Sequence, residues 1–536
     1  MEEGTKMGCL SFSRFSGSGR GWWPGAGSRA GTRACLYIMV ALAGVAFLHT
    51  ACMMGPDYTR PETPKADSWR LTAATAESMA NLPWWELLKD QALQQLVRTA
   101  LQENLDLQIA AANIEEFQAQ LMIAKFDLIP SFDYSGNVLG FRNTNANVVP
   151  LGAGAIPQTP QAGNGGGLSL SHEHAEVGLK WELDLWGRIR RSIESARAQL
   201  LSKEENQRAV IIGLVSSVAQ SYFDLRGLDY EVEITKRTLK AWDESVRLSD
   251  LRFKQGVIPK LDLDRFQAER AGTAAQLADL ERQVVQTENR LSILLGHRPA
   301  EIARGVHLTE QIIPPAVPPG LPSDLLQRRP DILRVEQDLT ATNATVGVAQ
   351  AERFPQFALT GAIGGSGLQF QGNSFGPYAS FKGAASVTGP IFNASALGYQ
   401  VRATEAQTQA AVAQYRKTIL TAFQEVEDAL IAVQKTGEQR TALEQQVTAL
   451  QSAYSLADSR YQGGRASYLD VLSAQRSLFD SELALARTRR AQLNSVVQLY
   501  KSLGGGWSPE MARKPQAAGG RGDMAESIEA TPVAIR

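Results

Sequence analysis

After position 52 the 536-residue chain has no cysteine. Its three cysteines, Cys9, Cys35 and Cys52, all stand near the start, so the body holds no disulfide, no thiolate metal centre and no thiol nucleophile. Excess charge is lacking too: 54 Lys and Arg nearly cancel 55 Asp and Glu, which argues against a nucleic-acid partner held by phosphate neutralisation. Past Cys52 no stretch approaches the roughly 18 to 20 apolar residues of a membrane-spanning helix. Catalytic patterns are equally scarce. His172-Glu173-His174 reads as a solvated loop end just before a strand rather than a metal site. The glycines between 151 and 167 are followed by no Lys-Ser or Lys-Thr and by no helix start, so they make no phosphate loop. No Ser/His/Asp or paired-carboxylate set can be assembled, so neither enzyme activity nor a cofactor nor a bound metal is expected. Arg521-Gly522-Asp523 lies in a polar tail, 507–536, that reads as disordered and carries no argument.

What is present begins with one apolar run, Ala34 to Leu48, preceded by Arg29 and Arg33 and followed by Thr50-Ala51-Cys52. It resembles a bacterial lipoprotein signal, cut ahead of a cysteine that then carries lipid. His49 departs from the usual Leu three places before that cysteine. Residues 1–51 are thus a signal peptide with a long basic leader, Cys52 is the lipidation site, and 52–85 is an extended lipidated segment. Met53, rather than Asp, follows the cysteine, as in lipoproteins sent to the outer membrane.

The body says things twice. Asp106–Pro130 and Asp331–Pro355 both run from Asp to Pro with helical character, "LSDLRFKQGVIPKLDL" (248–263) matches "LADSRYQGGRASYLDV" (456–471), and "LLG" (294–296) matches "SLG" (502–504). Landmarks kept in order mean an internal duplication. The repeats are 86–305 and 324–506, joined by a Pro-rich linker, 306–323. Within the first, Ala175, Val177, Leu179, Trp181, Leu183 and Leu185 alternate with Glu176, Gly178, Lys180, Glu182 and Asp184, a strand with one apolar and one wet face. The second has Phe357, Leu359, Gly361 and Ile363, a Gly-rich loop at 364–377, then Phe381, Gly383, Ala385, Val387 and Ile391. With 131–140 this makes four strands in two hairpins. They suit either a soluble core or a membrane barrel with Val177, Leu179, Trp181 and Leu183 facing lipid. Four strands cannot close a barrel, and lipid tolerates no open edge, so a barrel would need several chains.

After each strand pair the apolar period becomes 3.5. Tyr415, Ile419, Ala422, Val426, Ala429 and Val433 carry the seam in the second repeat, and Ile211, Leu214, Val218, Leu225 and Leu228 in the first. Such heptads predict a coiled coil, and a helix over about 394–460 would be roughly 100 Å long.

The motifs "GPDYTRP" (55–61), "WELDLWGRIR" (181–190), "QRRPDI" (327–332), "RFKQG" and "RYQGG" stand in this order in a duplicated chain. This resembles the TolC-like outer-membrane efflux factors, in particular the lipoprotein branch working with resistance-nodulation-division pumps, over nearly all of Cys52 to Gly506. The resemblance implies a mostly α chain whose coiled-coil hairpins form a trimeric α-barrel tunnel, with four strands per chain in a trimeric membrane β-barrel. It implies partners: two further copies, a periplasmic adaptor, an inner-membrane pump and outer-membrane lipid. The site would be a lipid-anchored outer membrane, reaching into the periplasm, and the function a passive exit duct for drugs or other toxic compounds. It also implies that Asp262 and Tyr461 latch the periplasmic gate, that Asp470 lines the constriction, and that the turns with Gly256, Gly463 and Gly464 dock the adaptor. Ser473 stands where some members have a second acidic ring. Asp262 and Asp470 have a plainer reading as helix caps. Two rivals remain, a periplasmic adaptor lipoprotein and a structural coiled-coil envelope protein. The first has one hairpin flanked by small β-domains, and the second would leave the polar strand faces unexplained.

Overall fold

The computed structural model describes residues 53–63, 69–70, 84–143, 168–313, 323, 325–370 and 373–505. The signal segment, Cys52, most of the linker and the C-terminal tail lie outside the described residues. The first repeat runs α1 (Gln91–Glu103), α2 (Leu105–Phe126), β1 (Ser131–Asn143), β2 (Leu168–Leu183), α3 (Arg188–Lys254) and α4 (Lys260–Leu294). The second runs α5 (Pro330–Ala351), β3 (Gln356–Phe370), β4 (Asn373–Thr388), α6 (Ala394–Gln462) and α7 (Tyr468–Ser502). None of the described helices is long and apolar enough to cross a membrane.

The four strands form one antiparallel sheet in the order β1-β2-β3-β4. β1 extends to Asn143 and β2 starts at Leu168, so His172-Glu173-His174 lies inside β2 rather than in a loop before it. Leu185 and Ile391, expected to continue the alternation, lie beyond the strand ends at Leu183 and Thr388, where in the second case Gly389-Pro390 interrupts the ladder. The expected loop at 364–377 is mostly strand. Gly364, Gly365 and Gly367 pair within β3, and a Cβ at Gly364 would collide with the Ala175 carbonyl and the Glu176 side chain. Glycine there permits close backbone approach.

The long helices have 67 and 69 residues, about 100 Å each at 1.5 Å per residue. Their seams bury the heptad residues, among them Val218 and Leu225 in α3 and Tyr415, Ile419, Ala422 and Val426 in α6. Toward the sheet α3 packs on α2 and α5, and elsewhere on α4 and α7. The duplicated landmarks are helix C-caps. Gly256, Gly296, Gly464 and Gly504 all have positive φ, between 67° and 77°. After each, the next residue's N–H bonds back into the last turn, as in Val257 to Arg252 (2.9 Å) and Arg465 to Arg460 (2.8 Å).

Around the middle of the helices α1 closes the largest core, with Trp84 stacked on Tyr500 at 5.4 Å. The fully buried Asp90 caps α1 by accepting from the Ala92 and Leu93 N–H groups, and also accepts from the Tyr222 hydroxyl (2.8 Å) and Gln311 Nε2 (2.7 Å). The first residues of the expected linker therefore belong to the fold: Val306 donates to Asp90, and Leu308 is buried.

Candidate functional site

The register sorts the sheet's side chains onto two faces, because directly paired residues share a side. One face carries the rows Tyr134–Val177–Ile363–Phe381, Phe132–Leu179–Gly361–Gly383 and Leu183–Phe357–Val387, with Trp181 opposite Leu359. These apolar residues are uncovered in the single chain: Tyr134 is 90% exposed and Phe381 85%. The other face is polar, with Lys180 paired to Asp133 at 3.4 Å and Glu176 held by Lys382 at 3.1 Å and His174 at 3.0 Å. Gly364 and Ala362 between β2 and β4 leave room for Lys382 to reach across. The His172 and His174 rings stack on this same face, 6.2 Å apart. Among the described residues no three metal-ligating side chains converge. Both β1 and β4 are end strands of the sheet.

The base of the sheet is tied by groups the sequence motifs had flagged without explaining. Asp184 accepts from the Ile189 and Arg190 N–H groups at the start of α3, and Glu182 takes Arg188 in a two-pronged bond at 3.0 and 2.8 Å. Trp181 and Trp186 donate their ring N–H to the Leu128 and Pro355 carbonyls, and Phe354 stacks on Trp186. Indoles with one satisfied polar end suit a membrane–water boundary.

The "GPDYTRP" strap lies along α3 and α5. The Met54 N–H bonds Trp186 O at 3.1 Å, and buried Arg191 donates to the Met54 and Gly55 carbonyls and to Asp57. Gly55, at φ +91°, has its Cα side against Gly347, where neither backbone leaves space for a Cβ. Further along, Glu336 accepts from Tyr58 (3.2 Å) and from Arg60 in a two-pronged bond. Burial and then the Glu336 charge raise the Tyr58 phenol above its ordinary pKa. Met53 meets Gly187 just below β2, so the strap begins at the base of the sheet. Cys52 itself lies outside the described residues.

In "QRRPDI" Arg329 caps the far end of another helix. It donates to the Ser502 carbonyl at the C-terminus of α7 and to Asp331 and Glu425.

The hairpin turns are exposed and nearly identical. A Cβ on Gly256 or Gly464 would meet nothing within 4 Å, although the left-handed backbone at both disfavours any side chain. Gly463, at ordinary φ, is the C-cap of α6. Asp262 and Asp470 both lie in the first turn of the returning helix, but they behave differently. Asp470 accepts from the Ser467 N–H at 3.0 Å, one half of a capping box. Asp262 faces Arg265 at 3.8 Å rather than Tyr461. The Tyr461 ring instead sits under the Arg252 guanidinium, 4.8 Å away. Tyr468, which sequence reasoning missed, is buried beside these residues, its phenol pushed up to about 12 by burial and then by the Asp262 charge. The signal available for it was an aromatic residue directly behind the "RYQGG" turn, with Val471 three places on.

A sheet with one uncovered apolar face, one polar face and two end strands, joined to paired helices of about 100 Å, has the make-up of one wall segment of a membrane barrel with a tunnel below. The chain belongs to the outer membrane efflux protein family, whose model matches residues 96–297 and 321–505. It is 37% identical over 489 residues to the toluene efflux pump outer membrane protein TtgC of Pseudomonas putida, covering 90% of this chain and 98% of that one. To the outer membrane protein OprJ of Pseudomonas aeruginosa it is 34% identical over 461 residues, 85% of this chain and 93% of the other. The open-state crystal structure of the MtrE outer membrane channel of Neisseria gonorrhoeae superposes with TM-score 0.72 at 28% identity, covering 85% and 98%. The fold is that of an outer-membrane efflux channel.

Proposed function

We propose that three copies of this chain close their four-stranded sheets into one 12-stranded barrel (three times four), continued by the helices into a periplasmic tunnel. The observation that carries the reading is the sheet itself, apolar and exposed on one face, polar on the other, and unclosed within one chain. The duct passes small toxic compounds, drugs or solvents, received from an inner-membrane pump of the resistance-nodulation-division class through a periplasmic adaptor, and performs no chemistry on them. Cys52 carries lipid and anchors the chain, and Val177, Leu179, Trp181 and Leu183 face the bilayer. Heat-resistant trimers on a gel, together with stepwise conductance in planar bilayers, test the assembly; monomers without conductance would refute it.

The anchor has its own test. Cys52→Ser is expected to abolish lipid labelling while trimers persist, since the strap from Met53 to Pro61 is held by Arg191, Asn343 and Glu336. Continued lipid incorporation in the variant would count against Cys52.

The far turns dock the adaptor. Bulky residues at Gly463 and Gly464 or Gly256 are expected to stop complementation of efflux with trimers at normal abundance. Loss of trimer would show instead that glycine serves the turn alone.

Asp262, Tyr461 and Asp470 form the gate. Asp262→Ala combined with Tyr461→Phe is expected to raise single-channel conductance and sensitivity to large hydrophilic antibiotics if these side chains, which in the single chain face Arg265 and Arg252 rather than each other, hold the mouth shut in the assembled trimer. Wild-type conductance in that double variant would remove the pair from the gate.

A further inference from the structure

Near the turns the two hairpins of one chain meet in an aromatic cluster. Tyr468, the first residue of α7, packs its ring on Phe266 of α4 with centroids 4.2 Å apart. Phe266 in turn meets Trp242 of α3 at 6.2 Å, and Tyr461 of α6 lies 6.5 Å from Tyr468. Trp242, Phe266 and Tyr468 are all buried, with Val246 and Leu472 packed against them. The Arg252 guanidinium over Tyr461 adds a cationic tie between α3 and α6. All four helices of the two hairpins thus contribute. A polar tie between α4 and α7 nearby, Arg476 to Glu269, is a loose, partly exposed pair at 3.7 Å, of a kind that holds little.

The hydroxyl of Tyr468 is buried without a hydrogen-bond partner. Whatever Tyr468 contributes, it contributes through its ring, since an unpaired buried hydroxyl is a cost. Its place in the chain matters as well. Ser467 before it and Asp470 after it form the capping box that starts α7, directly behind the exposed turn with Gly463 and Gly464.

We propose that Tyr468, packed between Phe266 and Tyr461, is an aromatic clasp that holds the two hairpins of one chain together at the tunnel's far end, and that a partner docking on the 463–467 turn opens the channel by withdrawing it. The inference rests on the tunnel reading above and adds a positioning residue to the gate. Aromatic packing is short-ranged and tolerant in angle, so a small displacement of α7 releases it against no stronger polar tie to α4, among the described residues, than the loose Arg476–Glu269 pair.

Purified full-length channel in planar bilayers tests this. Tyr468→Ala is expected to assemble as trimers and to show several-fold higher single-channel conductance, with cells more sensitive to large hydrophilic antibiotics. Tyr468→Phe, which keeps the ring, is expected to restore wild-type conductance. Phe266→Ala should reproduce the leak from the other helix. A Tyr468→Ala channel with wild-type conductance overturns the clasp while leaving the tunnel standing. A Phe variant as leaky as the Ala variant overturns it too, because the hydroxyl would then be the tie. A second arm does not depend on these variants folding: Glu269→Cys with Arg476→Cys, in the otherwise cysteine-free body, bridged by a bifunctional maleimide across α4 and α7. Bridged trimers are expected to stay at low conductance and fail to restore efflux, and the unbridged pair to restore it. Efflux through bridged trimers would overturn the proposal.

Discussion

Leu179→Arg will block insertion of the channel, and Lys180→Arg will not. The two positions are adjacent in β2, yet the register sends them to opposite faces. Leu179 stands in a row with Phe132, Gly361 and Gly383, one step from the row of Tyr134, Val177, Ile363 and Phe381. Lys180 stands with Ser131 and Thr360 and pairs with Asp133 at 3.4 Å. An arginine on a lipid-facing strand near the bilayer midplane costs roughly 2–4 kcal/mol, and a closed barrel of three copies would carry it three times. The glycines opposite Leu179 offer no acceptor side chain, so the guanidinium has nothing to pair with inside the sheet. Leu183→Arg should be milder, since Leu183 ends the strand beside Trp181 and the helices, where a long side chain can reach water. Refolding into lipid vesicles, followed by the heat-resistant band on a gel, reads the effect. Equal yields for Leu179→Arg and Lys180→Arg would mean that this face does not meet lipid.

That face could be read from the sequence because strand alternation has a period of two and survives any error in strand length. The strand ends could not. Glycine at 364, 365 and 367 looks like a loop when only local preference is considered. In the sheet all three pair in β3, and Gly364 lets β2 and β3 lie close beside Glu176, which Lys382 reaches. His172 and His174 were misplaced for the same reason, since the strand that holds them starts at Leu168. The heptads fixed the long helices well, as a 3.5 period over many turns has few alternatives. What no periodicity announces is a contact between distant segments. Gly55 against Gly347, Arg329 on the last turn of α7, and Tyr468 on Phe266 each join residues from different elements, and "GPDYTRP" gives no hint of its partners Arg191, Asn343 and Glu336. The gate residues show the same limit. Spacing alone aligned Asp262 with Asp470, yet one caps its helix and the other faces Arg265, because Ser467 supplies a capping partner where the first hairpin has Pro259.

Asp90 is the position of largest expected effect in the helical body, and it was equally invisible. Its side chain is fully buried between α1 and α3, and its two oxygens divide five donors. Oδ1 accepts from the Ala92 N–H at 3.0 Å and the Leu93 N–H at 3.2 Å, which starts α1. Oδ2 accepts from the Tyr222 hydroxyl at 2.8 Å, the Val306 N–H at 3.2 Å and Gln311 Nε2 at 2.7 Å. Asp90→Ala removes a helix cap, a loss of about 1 kcal/mol, and strands buried donors at about 1–3 kcal/mol each, part of which relaxation recovers. A destabilisation of about 4 kcal/mol is expected, with α1 and the 306–311 segment loosened from the middle of the tunnel wall. Asp90→Asn should be nearly as severe. Whichever way its amide turns, an NH₂ replaces an acceptor and faces donors: the α1 backbone in one orientation, Tyr222, Val306 and Gln311 in the other. Tyr222→Phe keeps the carboxylate and four of its donors but leaves the Gly305 N–H, 3.0 Å from the hydroxyl, without its acceptor. It should cost only about 1–2 kcal/mol. Thermal melting of the detergent-solubilised channel by circular dichroism ranks the three. An Asp90→Asn channel melting like wild type would mean that the five-donor account of this site is wrong.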